Sequence, residues 1–136
     1  MLFRSGIQTI EEGLPHLEKL DGIMLGRAAY QNPDILLKVD PFVFGQAAPL
    51  ADSFEVVEAY IPYVEAQLQA GYRLHDMTRH MLGLFTGQPG ARLWRRTIAT
   101  KAPVRGAGVD VLREAMGHVV RSSNALHGTA MIHAQN

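Results

Sequence analysis

The chain has no cysteine among its 136 residues. A disulfide framework, a cysteine-type zinc site and a thiol nucleophile are therefore excluded within this sequence. No apolar run approaches the roughly 20 residues that a membrane-spanning helix needs, and the opening "MLFRSG" lacks the apolar core of a signal peptide. We therefore expect a cytoplasmic protein that does not bind a membrane.

The common catalytic and cofactor motifs are also missing. The sequence contains neither the Walker nor the dinucleotide glycine pattern, and no spacing supports a Ser-His-Asp triad. His75 and His80 lie five residues apart without a pair of carboxylates to complete a metal site. We therefore predict no catalytic residue and no metal site in this chain.

What the sequence does have is an uneven distribution of charge. Hydrophobic residues make up 47% of the chain and charged residues 19%, which is typical of a globular protein. Residues 1–71 carry four basic groups and ten acids, a net charge of −6, whereas residues 72–121 carry nine basic groups and three acids, a net charge of +6. Scatter could produce this division, but it favours an anionic partner for the second half.

Residues 21–33, "DGIMLGRAAYQNP", contain an apolar strand that runs directly into Gly26 and Arg27. A helix is predicted before it over residues 7–20, with a capping-box pair at Thr9 and Glu12. The order helix, strand, glycine-containing loop is typical of a parallel α/β sheet. One interpretation is a phosphate-binding loop, and the other is a tight turn with a surface arginine. Because only one strand is visible, we interpret the segment as part of something larger.

The second half of the chain is predicted to be entirely helical. Residues 33–51 contain three prolines and are interpreted as an irregular linker. Apolar periodicity and turn signals then predict four helices, and the last fifteen residues show no period. The predicted helices cover residues 52–70, 76–86, 90–101 and 110–121, and residues 122–136 are predicted to be a disordered tail.

The third of these helices carries a basic face. At 100° per residue, Arg92, Arg95 and Arg96 fall within about 100° of one another, while Trp94 and Ile98 fall on the opposite side and should be buried. Guanidinium groups bind phosphate through their fork of donors. The alternative is a solvated face that forms ion pairs. The two last helices contain few acids, which favours anion binding.

Two segments together resemble one family. "DGIMLGRAAYQNP" and, about fifty residues later, "RLHDMTRHMLGLFTGQPGARLWRR" resemble the C-terminal part of a tRNA-dihydrouridine synthase of the A subfamily, over residues 6–121. The resemblance implies an α/β plus all-α protein: the remnant of a flavin-binding (β/α)₈ TIM barrel, followed by a four-helix tRNA-binding domain. The implied divisions are residues 1–40 for the barrel's helix-strand-helix portion, 41–51 for a linker, 52–121 for the helical domain and 122–136 for the tail.

The resemblance also implies roles for individual residues. Gly26 and Arg27 match a Gly-Arg turn that grips the phosphate of FMN in the family, and Gly6 matches the last glycine of an Asn-Gly-Gly turn. Arg4 and Ser5 stand where that turn has Asn-Gly, so residues 1–5 are interpreted as a fragment start rather than native family sequence. The family's tRNA-contacting signature falls on Arg92 and Arg95, and Arg96 shares their face.

The implied chemistry is the reduction of a uridine in the tRNA D-loop to 5,6-dihydrouridine. In the family NADPH reduces FMN, the flavin transfers a hydride to C6, and a cysteine protonates C5. This chain has no cysteine, so we expect it to be inactive alone, and we expect a monomer that binds tRNA. The alternatives are a stand-alone helical RNA-binding module and a fragment of another phosphate-binding barrel enzyme.

Overall fold

The structure, a computed structural model, describes residues 2–3 and 6–121. Met1, Arg4, Ser5 and residues 122–136 lie outside this range, and with them the predictions of a non-native start and a disordered tail. Helices predominate, and the described residues do not close a barrel. The elements are β1 (Leu2–Phe3), α1 (Ile10–Leu17), β2 (Gly22–Ile23), α2 (Arg27–Gln31), a 3₁₀ helix (Pro33–Lys38), α3 (Val39–Phe44), α4 (Ser53–Gln69), α5 (Leu74–Thr78), α6 (Ala91–Lys101) and α7 (Asp110–Gly117).

The first half contains a short parallel pair of strands joined by α1. Residues 2 and 3 of β1 lie opposite Gly22 and Ile23 of β2, so the strand that looked solitary in the sequence has a partner. The predicted cap of α1 is confirmed, because the Thr9 hydroxyl accepts the Glu12 N–H at 3.2 Å. A side chain at Gly13 would collide with Ile23, which shows how closely α1 packs on β2.

The prediction of an irregular stretch over residues 33–51 is wrong for its first part. Residues 33–38 form the 3₁₀ helix and residues 39–44 form α3. Proline is favourable in the first turn of a helix, where its missing N–H has no partner to lose, and Gly45 ends α3 with a φ of 64°. Lys38 forms a 2.8 Å ion pair with Glu11 that ties this segment to α1. The division into domains stays a prediction.

In the second half, α4 begins and ends as predicted. The Asp52 carboxylate accepts the Glu55 N–H at 2.9 Å, which confirms the predicted cap. The Glu55 carboxylate reaches back to the Ala51 N–H at 2.7 Å, one residue before the N-cap. Beyond Gln69, Gly71 has a φ of 95° and turns the chain. Within the described residues, no helix is both long and apolar enough to cross a membrane.

The core of this half centres on Trp94, which is fully buried as predicted. Its indole N–H donates to the Met81 carbonyl at 3.2 Å. Its ring meets the Phe85 ring edge-on at 4.9 Å between centroids, and Phe85 meets Phe54 at 4.8 Å. Aliphatic side chains from α4, α6 and α7 complete the core, including Val57, Ile61, Val64, Ile98, Leu112 and Ala115.

The prediction of a helix over residues 76–86 is wrong beyond Thr78. The chain continues in turns, and Phe85 takes a left-handed conformation with a φ of 64°. Met81 and Phe85 are still buried, so the apolar positions were identified correctly but not their conformation. A side chain at Gly83 would fall 2.9 Å from the carbonyl carbon of Gln31. This close contact between the two halves needs turns rather than a straight helix. The last helix is also shorter than predicted, ending at Gly117.

Asp34 joins the two halves of the molecule. Its half-buried carboxylate accepts hydrogen bonds from the Ser53 hydroxyl at the start of α4 and from the Phe85 N–H at 3.2 Å. Burial raises the pKa of Asp34, although both hydrogen bonds act in the opposite direction. A bulky residue in the left-handed region carries strain of about 1–2 kcal/mol, so the bond to Asp34 and the burial of its ring together hold Phe85 in place.

The turn at residues 87–90 predicts that alanine lowers the free energy of unfolding by different amounts at its two glycines. Gly87 and Gly90 both have positive φ, at 82° and 93°, but a side chain at Gly87 would meet open space, whereas one at Gly90 would fall 2.7 Å from the carbonyl carbon of His118. We expect Gly87→Ala to lower the free energy of unfolding by about 1–2 kcal/mol through backbone strain, and Gly90→Ala by about 1–3 kcal/mol more through overpacking. Urea denaturation measures both variants, and equal losses would contradict the close packing of residues 90 and 118.

The raised pKa of Asp34 predicts a pH dependence. Because the folded-state pKa lies above the ordinary value of 3.8, the folded state binds this proton more tightly than the unfolded state. The stability that the folded protein gains by binding this proton is therefore fully present below about pH 3.8, and it decreases as the pH rises through the folded-state pKa. The Asp34→Asn variant cannot titrate here, so its deficit in free energy of unfolding should shrink as the pH rises from 4 to 7. Parallel pH curves for the two proteins would contradict this.

Candidate functional site

The two strands place their following loops at the same edge of the molecule. Since β1 and β2 are parallel, the chain leaves both at their carboxyl ends, where α/β proteins usually bind ligands. Gly6 follows the first strand and Gly26 the second. The structure brings them together, with Arg27, around one cavity of about 210 Å³, whose walls are Gly6, Ile7, Gln8, Met24, Gly26, Arg27 and Ala28.

The glycines leave this cavity open. Gly6 has a φ of 68°, a conformation that other residues rarely adopt, and a side chain there would meet no atom within 4 Å. Gly26 precedes α2, and the nearest atom to a side chain there would be the Met24 sulfur at 3.5 Å. Both backbones are therefore exposed to a ligand at close range, as a phosphate group requires.

The residues around the cavity supply hydrogen-bond donors. Tyr30 N–H makes the first bond of α2, to the Gly26 carbonyl at 3.2 Å, so the N–H groups of the residues before it have no partner within this helix. The Gln8 N–H is already used, since it donates to Glu12 at 2.8 Å. Arg27 is exposed, and no acid lines the cavity. N–H groups without a partner in the helix, together with a guanidinium, suit an anion.

The arginines of α6 lie on an exposed face, as the sequence predicted. The rotation of the helix is fixed because Trp94 and Ile98 are buried, which leaves Arg92, Arg95 and Arg96 in solvent. The ion pairs formed among the described residues involve other cations, including Lys101, which pairs with Glu114 at 2.5 Å. One of the two acids of α7 is therefore already paired, and the three guanidinium groups form no ion pair among the described residues.

The described residues form no cluster of potential metal ligands. Within the part of the chain that the structure describes, no three His, Asp or Glu side chains lie close enough to hold a metal ion. Of the two histidines considered from the sequence, His80 is engaged elsewhere: its Nδ1 lies 3.0 Å from the Tyr30 hydroxyl. The sequence analysis missed this contact and the junction at Asp34. The Tyr30–His80 and Asp34–Phe85 contacts each join residues about fifty positions apart. The one sequence signal was the position of Tyr30, one turn after Arg27 on the same helix.

Comparisons with known proteins agree on one family. The sequence model described as "Dihydrouridine synthase (Dus)" matches residues 5–119. A protein of Vibrio parahaemolyticus named tRNA-dihydrouridine(20/20a) synthase is 47% identical over 119 residues, 88% of this chain and 36% of that protein. Proteins of the same name from Yersinia pestis and Escherichia coli K12 are 49% and 48% identical, over 84% and 85% of this chain and 33% and 34% of theirs. The chain thus spans about one third of the length of these relatives.

Proposed function

The chain belongs to the dihydrouridine synthase family, and from that premise we propose that it supplies two parts of a tRNA-dihydrouridine synthase. One part is the loop pair that holds the phosphate of FMN. The other is a helical surface that holds tRNA. The complete enzyme would reduce a uridine of the tRNA D-loop to 5,6-dihydrouridine with NADPH as the reductant.

The cavity bounded by Gly6, Gly26 and Arg27 is the observation that carries this proposal. Three residues that match two separate family motifs, twenty positions apart in the sequence, line the same small space. The space is bordered by glycine backbone that no side chain of its own covers, and its walls include no acid. These features fit the terminal phosphate of a flavin mononucleotide, with Arg27 providing the charge and the start of α2 providing N–H donors.

Within this proposal each part of the chain has a limited chemical task. When bound, the flavin supplies the hydride that reduces the C5–C6 bond of the uridine. Gly6 and Gly26 allow the phosphate to approach the backbone, and Arg27 neutralises its charge. This chain has no cysteine to protonate the base and spans about one third of the length of the relatives that it matches. We therefore expect no dihydrouridine formation by this chain alone.

The exposed face of α6 supports the tRNA part of the proposal. Arg92, Arg95 and Arg96 belong to a segment with a net charge of +6, and the buried Trp94 holds them outward. Phosphate contacts of this kind position a folded RNA rather than read its sequence. A stand-alone RNA-binding module would account for this face but not for the cavity, so we favour the enzyme.

The cofactor part is tested by the loss of one guanidinium group. In a chimaera, residues 5–119 of this chain replace the matching third of the Vibrio parahaemolyticus relative. Arg27→Ala should weaken FMN binding about tenfold or more, because a charge-assisted hydrogen bond contributes about 1.5–3 kcal/mol. Arg105→Ala removes an equally exposed arginine away from the cavity and should leave FMN affinity unchanged. Flavin fluorescence titration measures both, and equal affinity in the two variants would contradict the assignment of the cavity.

The tRNA part is tested by salt dependence. In the 136-residue chain, each phosphate contact that is lost should lower the slope of log affinity against log salt by about 0.7–1, so Arg92→Ala with Arg95→Ala should lower it by roughly twice that amount. The matched control, Lys19→Ala with Arg105→Ala, removes the same charge from two exposed positions outside α6. Fluorescence anisotropy with tRNA at several salt concentrations gives the slopes. If the two double variants behave alike, the face on α6 is not the RNA contact.

A further inference from the structure

Three exposed side chains form a hydrogen-bonded series where the two halves of the chain meet. The Tyr30 hydroxyl lies 3.0 Å from Nδ1 of His80, and Nε of Arg79 donates to Nε2 of the same ring at 3.1 Å. The rings of Tyr30 and His80 meet at 67° with their centroids 5.9 Å apart. We call these three residues the Tyr30–His80–Arg79 series. It lies outside the cavity of the candidate cofactor site.

The direction of each hydrogen bond in the series follows from chemistry. A guanidinium nitrogen can only donate, so Nε2 of His80 must accept from Arg79. The ring is then neutral and carries its proton on Nδ1, which donates to the Tyr30 oxygen. The hydroxyl proton of Tyr30 takes no part in this bond, and Tyr30 is 60% exposed. The series therefore presents an O–H donor to solvent, together with the guanidinium N–H groups that Arg79 does not use on His80.

The position of the series is set by α2, which carries Tyr30, and by the packing of this helix on the second half of the chain. Tyr30 lies three residues after Arg27 on α2, and residues at this spacing share a helix face. The end of α2 is held against the second half, because Gly83 packs directly on the Gln31 carbonyl. The Thr86 hydroxyl, which donates to the Gly83 carbonyl at 2.6 Å, lies 3.4 Å from the same Gln31 oxygen. The donors of the series thus lie between the candidate cofactor loop and the helical half.

The hydroxyl of Tyr30 and the guanidinium of Arg79 favour an anionic oxygen as ligand. Tyr30 and Arg79 offer donors and one positive charge, and no ion pair among the described residues joins Arg79 to an acid. We propose that the Tyr30 hydroxyl and the Arg79 guanidinium bind a phosphodiester of the RNA strand, with His80 as the residue that positions both. This inference rests on the proposed binding of tRNA. It adds a contact beside the cofactor loop, separate from the arginines of α6.

Two variants of the 136-residue chain test this contact, with the same tRNA anisotropy assay. Tyr30→Phe removes a neutral donor, so affinity should fall about three- to tenfold, as expected for one hydrogen bond, while the salt slope stays unchanged. Arg79→Gln keeps an N–H that can reach His80 but removes the charge, so the slope should fall by about 0.7–1. Tyr63→Phe is the matched control, since Tyr63 is an exposed tyrosine, 51% accessible, outside the series.

The alternative is that the series only joins the two halves. In that case Tyr30→Phe would lower the free energy of unfolding in urea and leave tRNA affinity at the level of Tyr63→Phe, which would overturn the inference. If Tyr30→Phe and Arg92→Ala with Arg95→Ala each weaken binding, both proposals are supported. If the α6 variant weakens binding and the two variants of the series do not, the inference fails and the proposed function stands. A wild-type chain that binds no tRNA at any salt concentration would overturn the proposed function itself.

Discussion

The arrangement of the two halves depends on the hydrogen bonds that the Asp34 carboxylate accepts. This carboxylate accepts the Phe85 N–H and the Ser53 hydroxyl, so one side chain from the 3₁₀ helix connects both to the start of α4 and to a left-handed turn in the second half. Phe85 in turn packs edge-on against Trp94. The burial of Trp94 sets the rotation of α6 and therefore the direction of its arginines. A contact made by the 3₁₀ helix is thus linked, step by step, to the orientation of the candidate RNA face.

The five-residue helix α2 has a comparable role at shorter range. Its first turn borders the cavity formed with Gly6, and the carbonyl of its last residue, Gln31, packs directly against Gly83. Between these ends, Tyr30 contacts His80. A phosphate held at the start of α2 and an RNA strand held near its end would therefore lie at a fixed separation, which is what a modification enzyme needs if a base is to leave its stack and meet a flavin.

The sequence predicted those features that are encoded over a few residues. The caps at Thr9 and Asp52, the turn at Gly71 and the burial of Trp94 all follow from spacings of three or four positions, and the structure confirms them. The family resemblance, carried by two quoted segments, is confirmed by the match over residues 5–119. The roles of Gly26 and Arg27 remain predictions.

The failures share a physical cause, which is contact between distant residues. The segment at 79–86 has helical periodicity, but the left-handed Phe85 and the packing of Gly83 against Gln31 are imposed by the other half of the chain. The pairing of β2 with a strand of only two residues, and the contact of Tyr30 with His80, likewise depend on residues that lie far apart in the sequence.

The central claim is that cofactor binding and RNA binding occupy separate surfaces of this chain. The most direct measurement compares two rates in the chimaera that carries residues 5–119: NADPH oxidation by the bound flavin and dihydrouridine formation in limiting tRNA. With alanine at Arg92 and Arg95, the account predicts that NADPH oxidation without tRNA keeps its rate while dihydrouridine formation falls. An equal loss of both rates, or no loss of either, would contradict it.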